Sequence, residues 1–237
     1  PASITKIMTA LLTIENCNLD DTVTFSQSAI DTLEPEAANI GAVVGEEMSV
    51  RDCLYALMLQ SANEVASALA EHVSGSIEEF AKLMNKRAKQ AGANDAHFAN
   101  ACGLFNKKHY VTAYDMAKIM QAALQYPVFR EIINSSSYTL PTDNKRKEPL
   151  TISQRHQMVQ PWNSFHYDGI ICGKTGFVNE SGTTLVTSAQ RDGMTLITVV
   201  LNSPGTNSYV DTTALLDFGF KNFKLTNVSE NDTRFEN

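Results

Sequence analysis

The sequence lacks the features of several broad classes of protein. Its longest strongly apolar segment, residues 194–201, is the length of a strand and falls well short of the roughly 18 residues of a membrane span. It has no excess of positive charge, because 19 lysines and arginines stand against 26 aspartates and glutamates and give a formal net charge of −7. Domains that bind nucleic acid normally carry a basic excess, so the sequence disfavours that class.

Cysteine and histidine are too few and too widely spaced for a disulfide scaffold or a metal hydrolase. Four cysteines in 237 residues do not make the close pairs of a zinc ribbon, and we expect most of them to be free and partly buried. The five histidines show no HExxH or comparable ligand spacing, so we predict no metal and no cofactor. The cysteines are Cys17, Cys53, Cys102 and Cys172.

The composition is that of a folded domain. Hydrophobic residues make up 43% of the chain and charged residues 19%, which is ample apolar material for a core. No repeat, low-complexity tract or Pro/Gly-rich linker divides the 237 residues. We therefore predict one unit over residues 1–223, followed at 224–237 by a polar tail or the start of a truncated C-terminal region.

The first three fifths of the sequence predict helices. Serine followed by glutamate three residues later, at Ser61 and at Ser76, predicts a capping box at the start of two of them. Gly92 is placed to end the helix that begins at Ser76. Apolar residues recur at helical spacing over residues 3–14, 50–59, 61–72, 76–91 and 112–124.

The last two fifths of the sequence predict strands. Residues 183–190 and 194–202 are rich in β-branched residues and are joined by an Arg-Asp-Gly turn, which indicates a hairpin. Residues 170–178 are placed to pair with this hairpin. Residues 207–218 predict a closing helix that ends at Gly219. Helices followed by an antiparallel sheet and one more helix indicate an α+β fold.

Three short motifs with chemically capable side chains stand in a fixed order. Each pattern alone is weak, since SxN also occurs at residues 229–231 in the polar tail. Each also has an ordinary interpretation, as a helix cap, a solvated charge or a turn. Their joint occurrence in one order favours chemistry. The motifs are Ser3-Ile4-Thr5-Lys6, Ser61-Ala62-Asn63 and Lys174-Thr175-Gly176, which fit SxxK, SxN and KTG.

The first motif suits a nucleophile and its base. Ser3 falls at a predicted helix start, where free backbone N–H groups favour developing negative charge. Lys6 lies one turn further on, so its amine reaches the Ser3 hydroxyl. A lysine acts as a base near neutral pH only if burial or a neighbouring cation lowers its pKa, and Lys174 is a candidate for that cation.

The other two motifs suit proton relay and substrate binding. Ser61 and Asn63 lie at a second predicted helix start, where a hydroxyl relays a proton and an amide holds a substrate. Lys174 and Thr175, on a predicted edge strand, offer an ammonium and a hydroxyl to a substrate carboxylate. Gly176 allows the substrate backbone to approach the strand closely.

These motifs and the segments around them resemble the serine D-alanyl-D-alanine carboxypeptidases, which are low-molecular-mass penicillin-binding proteins. The ordered trio is a signature that penicillin-binding proteins share with class A β-lactamases. The resemblance continues through residues 45–66 and 97–117. It closes with residues 168–176 and 188–193, which match the family's final hairpin, and so covers nearly the whole chain.

The resemblance implies a catalytic role for four residues. Ser3 is expected to be the acylated nucleophile and Lys6 its general base. Ser61 and Asn63 are expected to complete the proton relay and the substrate clamp. The implied fold is an antiparallel sheet flanked by helices, with an inserted all-helical lobe and the site between them. Strands that precede the nucleophile in the family have no counterpart here, so we expect the first piece of the catalytic domain to be missing.

The resemblance also implies a set of substrate-binding residues. Lys174 and Thr175, with Gly176 beside them, are expected to hold the terminal carboxylate of the substrate. The backbone N–H groups of Ser3 and Phe177 are expected to form the oxyanion hole. Arg155 is a further candidate for contact with the carboxylate, and a solvated loop arginine is an equally good interpretation.

The implied activity is removal of the terminal D-alanine from peptidoglycan stem pentapeptides, with penicillin as an inhibitor. The expected ligands are these peptides and β-lactams, the expected location is outside the cytoplasmic membrane, and any membrane association would use a segment not in this chain. Three alternatives remain open. They are a β-lactamase, a transpeptidase or endopeptidase of the same fold, and a module that binds peptidoglycan without chemistry.

A class A β-lactamase needs a glutamate between its SxN and KTG motifs to activate the deacylating water. Residues 33–39 superficially resemble the loop that carries it, with Glu34, Glu36 and Asn39. They precede Ser61, however, and the spacing from glutamate to asparagine is one residue too long. We therefore reject this segment as a deacylation loop and expect a penicilloyl ester to hydrolyse slowly.

Overall fold

The first element of the fold is a short 3-10 turn that continues directly into a helix. In the computed structural model, which describes residues 1–226, the turn spans Ala2–Thr5 and helix α1 spans Lys6–Asn16. Every residue of α1 from Lys6 to Thr13 is buried, because other elements pack around it on all sides. The helix predicted over residues 3–14 is therefore confirmed, and it forms the centre of the main core.

Along the chain, six further helices follow α1 before the strands of the three-stranded sheet begin. The helices predicted from residues 50, 61, 76 and 112 are confirmed, although the first changes to a π-helical turn over Ala56–Gln60. The six are α2 Gln27–Asp31, α3 Val50–Tyr55, α4 Asn63–Ser74, α5 Ile77–Gln90, α6 Ala113–Ala123 and α7 Pro127–Asn134.

The caps of α5 agree with the sequence prediction, whereas the capping box occurs at a different helix. The Ser76 hydroxyl accepts a hydrogen bond from the Glu79 N–H at 3.1 Å, as a cap of α5 requires. Gly92, with φ of +85°, follows the end of α5 as predicted. A complete capping box, in which both side chains take part, forms at the start of α6. There the Thr112 and Asp115 side chains each accept a hydrogen bond from the other residue's backbone N–H.

Within the part of the chain that the structure describes, seven strands form three antiparallel sheets. The predicted three-stranded sheet is confirmed, with β5 (Ile170–Val178) at one edge, β6 (Gly182–Arg191) in the middle and β7 (Met194–Ser203) at the other edge. Two ribbons of three- and four-residue strands lie within the helical segment, which is therefore not all-helical. They pair β1 (Thr22–Thr24) with β2 (Glu47–Ser49), and β3 (Ser137–Leu140) with β4 (Leu150–Ser153).

Strand β6 has both of its faces buried, so helices cover the sheet on two sides. Val186 belongs to the main core around α1. Its neighbour Leu185 and Ala189 point to the other face and pack in a second cluster against Leu216 of helix α8, which spans Asn207–Asn222. This alternation along one strand is what a period of two residues requires. The α+β fold predicted from the sequence is confirmed.

The predicted end of α8 at Gly219 is wrong, because the helix continues to Asn222. A Cβ atom at Gly219 would lie 2.5 Å from Leu196 Cδ1 on β7. This glycine therefore permits close contact between the helix and the sheet, and it does not act as a C-cap. Glycine often ends a helix, but it is also the residue that lets an element approach its neighbour most closely.

The remaining sequence predictions concern the cysteines, the polar tail and membrane spans. All four cysteines are free, in agreement with the prediction, but only Cys17 is partly buried and the other three are fully buried. Of the predicted tail at 224–237, residues 227–237 lie outside the described residues. Within residues 1–226, no helix is both long enough and apolar enough to cross a membrane.

We expect Gly219→Val to lower the free energy of unfolding by about 1–3 kcal/mol, because the new side chain overpacks the contact with Leu196. The matched control is Ala214→Val, at an exposed position of the same helix, for which we expect a change within about 0.5 kcal/mol. Urea titration followed by circular dichroism measures both. A Gly219→Val protein as stable as wild type would contradict the packing of α8 described here.

Candidate active site

The side chain of Lys6 joins the first two motifs. Its Nζ donates hydrogen bonds to Ser3 Oγ at 3.0 Å, to Asn63 Oδ1 at 2.6 Å and to the backbone oxygen of Cys102 at 2.7 Å. Ser3 lies in the 3-10 turn and Lys6 is the first residue of α1, so their spacing of three residues places both on one side of the turn. Lys6 is fully buried.

These three partners determine where the lone pair of a neutral Lys6 points. The Asn63 and Cys102 oxygens have no proton to give, so they must accept both N–H groups of a neutral amine. The lone pair then faces the Ser3 hydroxyl, which alone among the three partners carries a proton. Loss of one proton thus converts Lys6 from a donor to Ser3 into an acceptor from it, without movement of the side chain.

Burial lowers the pKa of Lys6 from 10.5 to about 8, because the buried ammonium loses its hydration. Of the nearby carboxylate and guanidinium charges that contribute to this value, that of Glu64 raises the pKa and that of Arg155 lowers it. Lys174, suggested by the sequence as the assisting cation, is close enough for its charge and that of Lys6 to repel each other. Lys174 is itself buried, and burial, together with the charges of Lys6 and Arg155, lowers its own pKa well below the ordinary value.

The SxN motif lies where the π-helical turn meets α4. Ser61 has φ of +65°, a left-handed conformation that is costly for a residue other than glycine and that recurs at functional sites. The predicted capping box at Ser61 and Glu64 is wrong. The N-cap of α4 is Ala62, and the Glu64 carboxylate accepts a hydrogen bond from the Ile40 N–H at 2.7 Å.

The reason for this difference is that the Ser61 hydroxyl has another partner. Lys174 Nζ donates to Ser61 Oγ at 3.0 Å and to the backbone oxygen of Thr175 at 2.9 Å. Asn63, the first residue of α4, contacts Lys6 instead. Each lysine therefore holds one residue of the SxN motif, and the motif bridges α1 and β5.

Strand β5 presents the KTG motif on an edge of the sheet, as the sequence predicts. A Cβ atom at Gly176 would lie 2.4 Å from Thr184 Oγ1 and 2.9 Å from the backbone nitrogen of Ser3. Gly176 thus brings the strand close to the turn that carries the nucleophile. The sequence argument assigned this glycine to approach by the substrate backbone, but the atoms that require it belong to the protein.

A cleft of about 710 Å³ opens over these residues. Its floor includes Ser3, with Lys6 and Lys174 buried beneath. The six remaining predicted site residues line the cleft. With Ser3 and the two buried lysines, the structure therefore brings all nine predicted site residues together. Those that line the cleft with Ser3 are Ser61, Asn63, Arg155, Thr175, Gly176 and Phe177.

Two of the predicted site residues that line the cleft are exposed to solvent. Arg155 follows β4 and precedes a 3-10 turn over Gln157–Val159, and its charge acts on both buried lysines. This places it at the site rather than on a remote loop. Phe177 is 63% exposed and extends an apolar ring beside the KTG motif.

Sequence reasoning missed the part of the site that is made of backbone. The sequence identifies Cys102 only as one of four cysteines, but its carbonyl oxygen is the atom that binds Lys6. Asn100 holds this loop, because its Oδ1 accepts from the Gly103 N–H at 2.7 Å and its Nδ2 donates to the Leu104 oxygen at 2.9 Å. A backbone acceptor carries no signature in the sequence, so only the fold reveals it.

The segment rejected as a deacylation loop also reaches the cleft. Glu34 and Glu36 both line it, and the Asn63 N–H donates to the Ala38 oxygen at 2.8 Å. The backbone of this loop therefore fixes the start of α4. The chain order that argued against a class A loop stands, yet two carboxylates lie at the rim of the same cleft.

One group of side chains within residues 1–226 has the composition of a metal site. Cys17, Asp21 and His72 offer ligand atoms that lie within 4.8 Å of one another. None of them lines the cleft, so they do not supply a metal to the chemistry of Ser3.

The geometry defines a class of site. A serine hydroxyl hydrogen-bonded to a buried lysine of lowered pKa, beside a second lysine on a sheet edge, is the arrangement of a serine enzyme that works through an acyl intermediate. The chain belongs to the peptidase S11 family, D-alanyl-D-alanine carboxypeptidase, which residues 1–205 match.

Individual relatives agree with this membership. The chain is 34% identical to "D-alanyl-D-alanine carboxypeptidase DacF" of Bacillus subtilis, over 94% of its own length but only 57% of that relative's. It is also 34% identical to a D-alanyl-D-alanine carboxypeptidase of Streptomyces sp. strain K15, over 92% of this chain and 78% of the other.

Solved structures share the fold over most of their length. The Streptomyces K15 DD-transpeptidase superposes with a TM-score of 0.83 at 31% identity, covering 93% of this chain and 87% of the other. A D-alanyl-D-alanine carboxypeptidase from Mycobacterium tuberculosis gives a TM-score of 0.84 at 28% identity, covering 96% and 84%.

We expect the rate constant for acylation of Ser3 by benzylpenicillin to rise with pH through about 8, because Lys6 must lose its proton to act as a base. Glu64→Gln removes a negative charge that raises the pKa of Lys6, so it should move this limb of the pH profile to lower pH. Stopped-flow acylation between pH 5 and 10 measures both profiles.

The control for this prediction is Glu71→Gln. It makes the same change of charge on α4, but the Glu71 carboxylate binds Ser26 and Ser28, away from Lys6. We expect its profile to match wild type. A Glu64→Gln profile that stays in place or moves to higher pH would contradict the electrostatic account of Lys6.

Proposed function

We propose that the protein is a serine-type DD-carboxypeptidase that removes the terminal D-alanine from peptidoglycan stem pentapeptides. The observation that carries this proposal is the 3.0 Å contact between Ser3 Oγ and the buried amine of Lys6. A module that only binds peptidoglycan has no need of a lysine with a pKa of about 8 beside a serine hydroxyl. Family membership supports the same chemistry.

Acylation begins with neutral Lys6. Ser3 Oγ attacks the carbonyl carbon between the two D-alanines as its proton passes to the lone pair of Lys6. The bond from this carbon to the nitrogen of the last D-alanine then breaks, and the leaving nitrogen takes a proton. Ser61 Oγ, which accepts from Lys174 at 3.0 Å, supplies a relay for that proton from the Lys174 ammonium.

Binding of the substrate carboxylate charges Lys174. Burial holds the pKa of this lysine low in the free enzyme, and an anion placed beside it favours the ammonium form. Thr175 and Arg155 line the same cleft, and we assign both to the carboxylate site. The N–H groups of Ser3 and Phe177 stabilise the oxyanion.

Deacylation uses the same base in reverse. Once D-alanine has left, Lys6 gives the proton that it took from Ser3 to solvent, and Lys174 takes one up from solvent. A water molecule then attacks the ester carbon as its proton passes to neutral Lys6. The bond from this carbon to the Ser3 oxygen breaks, and the Ser3 oxygen recovers that proton from Lys6. The products are the trimmed stem peptide and the free hydroxyl of Ser3. A peptide amine in place of water gives transpeptidation, and the similarity to the Streptomyces K15 DD-transpeptidase supports this as the alternative outcome.

The proposed substrate determines the proposed location. Peptidoglycan stem peptides are exposed on the outer side of the cytoplasmic membrane, so we place the enzyme there, in contact with the cell wall. β-lactams imitate the D-alanyl-D-alanine end of these peptides and acylate the same serine. We therefore propose them as covalent inhibitors that leave slowly.

The direct test is release of free D-alanine from a muramyl pentapeptide. Wild type should release it, and Ser3→Ala should reduce the rate at least about a thousandfold, because the nucleophile is lost. Ser28→Ala, which removes an exposed hydroxyl elsewhere, is the control and should retain full activity. Formation of crosslinked dimers without free D-alanine would replace this function by transpeptidation.

The same samples test the remaining alternatives with benzylpenicillin and mass spectrometry. Wild type should form a penicilloyl adduct that is absent in Ser3→Ala, and lack of any adduct on folded wild type would favour a binding module. The adduct should hydrolyse far more slowly than the roughly 10 per second typical of enzymes. Fast hydrolysis that Glu34→Gln or Glu36→Gln abolishes would instead make the protein a β-lactamase.

A further inference from the structure

His156 is a fully buried residue for which the chemistry above gives no role. It follows Arg155 and contacts the sheet directly behind the KTG motif. Its Nε2 lies 2.8 Å from Thr187 Oγ1 on the central strand β6. Thr187 in turn is the register partner of Gly173 on β5, the residue immediately before Lys174.

The imidazole ring occupies the space of a missing side chain on β5. A Cβ atom built at Gly173 would lie 2.2 Å from His156 Nε2 and 2.3 Å from Cδ2. Any residue other than glycine at this position would displace the ring. The ring therefore packs directly on the backbone of β5 while it is hydrogen-bonded to β6. It contacts both members of the register pair Gly173 and Thr187, next to Lys174.

The ring is held in one chemical form. Its Nδ1 has no hydrogen-bond partner among the described residues, so a proton there would be buried and unpaired. Burial, with a smaller contribution from the charge of Lys174, lowers the pKa of His156 to about 3. Neutral His156 thus carries its proton on Nε2 and donates it to Thr187 Oγ1.

The rest of the segment is anchored at both ends. The His156 N–H donates to Gln154 Oε1 at 3.1 Å, and Gln154 Nε2 donates to the Ile133 oxygen of α7 at 2.9 Å. On the other side, the ring packs in a T-shaped arrangement against Tyr209, a residue that lines the catalytic cleft, at a centroid distance of 5.8 Å. The position of the ring is therefore fixed independently of β5.

We propose that His156 is a positioning residue for the carboxylate-binding edge of the cleft. Through Thr187 and Gly173 it sets the position of β5, and hence of Lys174 and Thr175. It also fixes the backbone next to Arg155, so one ring aligns both sides of the carboxylate site. This inference rests on the proposed function, because it assigns His156 to the binding of an acyl donor that carries a carboxylate.

The experiment uses matched changes at Thr187, which leave the ring in place. Thr187→Val keeps the shape of the side chain but removes the acceptor of the His156 proton, whereas Thr187→Ser keeps the hydroxyl. Thr198→Val is the control. It removes a buried hydroxyl on the neighbouring strand β7, and this hydroxyl donates to the backbone oxygen of Thr187 and not to its side chain. Unfolding temperatures and circular dichroism establish that each variant folds.

Two acylating reagents separate a positioning role from general damage to the fold. Benzylpenicillin carries a carboxylate, and phenylmethylsulfonyl fluoride reacts with the serine without one. For Thr187→Val we expect acylation by benzylpenicillin to fall about 10- to 100-fold, as small displacements of binding groups do. We expect sulfonylation of Ser3 to change less than about threefold, and Thr187→Ser and Thr198→Val to match wild type with both reagents.

A second pair of variants tests the histidine itself. The amide of His156→Gln extends to the position of Nε2, whereas the shorter side chain of His156→Asn does not. We expect the glutamine variant to retain most of the benzylpenicillin rate and the asparagine variant to lose it. Equal rates for both variants would contradict the role of the Thr187 contact.

The outcomes distinguish this inference from the proposed function. Wild-type rates for Thr187→Val, or equal losses with both reagents, would overturn the positioning role while wild type still forms its adduct. Failure of wild type to react with benzylpenicillin would contradict the proposed function instead. In that case crystal structures still decide the inference. The distance from Lys174 Nζ to Ser61 Oγ, 3.0 Å in wild type, should lengthen in Thr187→Val, and an unchanged distance would overturn it.

Discussion

The rest of the site depends on the burial of one amine. Lys6 Nζ lies in the core with three oxygen partners, and two of them cannot give it a proton. An isolated ammonium there would be strongly disfavoured, so the protein holds this group near the point of deprotonation. Asn63 at the start of α4 and the carbonyl of Cys102 must both reach the same atom. That requirement fixes where the helical segment meets α1.

The unusual backbone at Ser61 and the glycine at position 176 also help to bring the site residues together around the buried lysines. Ser61 adopts a left-handed conformation after a π-helical turn, which frees its hydroxyl for Lys174 and leaves the cap of α4 without a side-chain bond. Gly176 lets β5 lie against the backbone of Ser3, so the nucleophile and the carboxylate-binding strand are in direct contact. Local strain at Ser61 and the lack of a side chain at Gly176 are thus both features of the site.

The sequence predicted those features that show a regular spacing of apolar residues or a fixed motif. Helix α1 and the β6–β7 hairpin follow from the periodicity of apolar residues, and the nine site residues follow from motifs and from resemblance. The ribbons β1–β2 and β3–β4 were missed because strands of three or four residues show no clear alternation. Ser61 fits a capping box as well as it fits a relay, and only its long-range partner decides between them. The carbonyl of Cys102 and the ring of His156 act through tertiary contacts that leave no local pattern.

The central claim is that burial lowers the pKa of Lys6 to about 8, so that a minority of molecules carries the neutral amine near physiological pH. The most direct measurement is an NMR titration of protein labelled with carbon-13 at the lysine side chain, in which the Lys6 Cε resonance is identified by its loss in Lys6→Met. The account predicts a midpoint near pH 8 for this resonance, well below the ordinary 10.5. A midpoint at the ordinary value would show that burial does not make Lys6 a base, and would contradict the account.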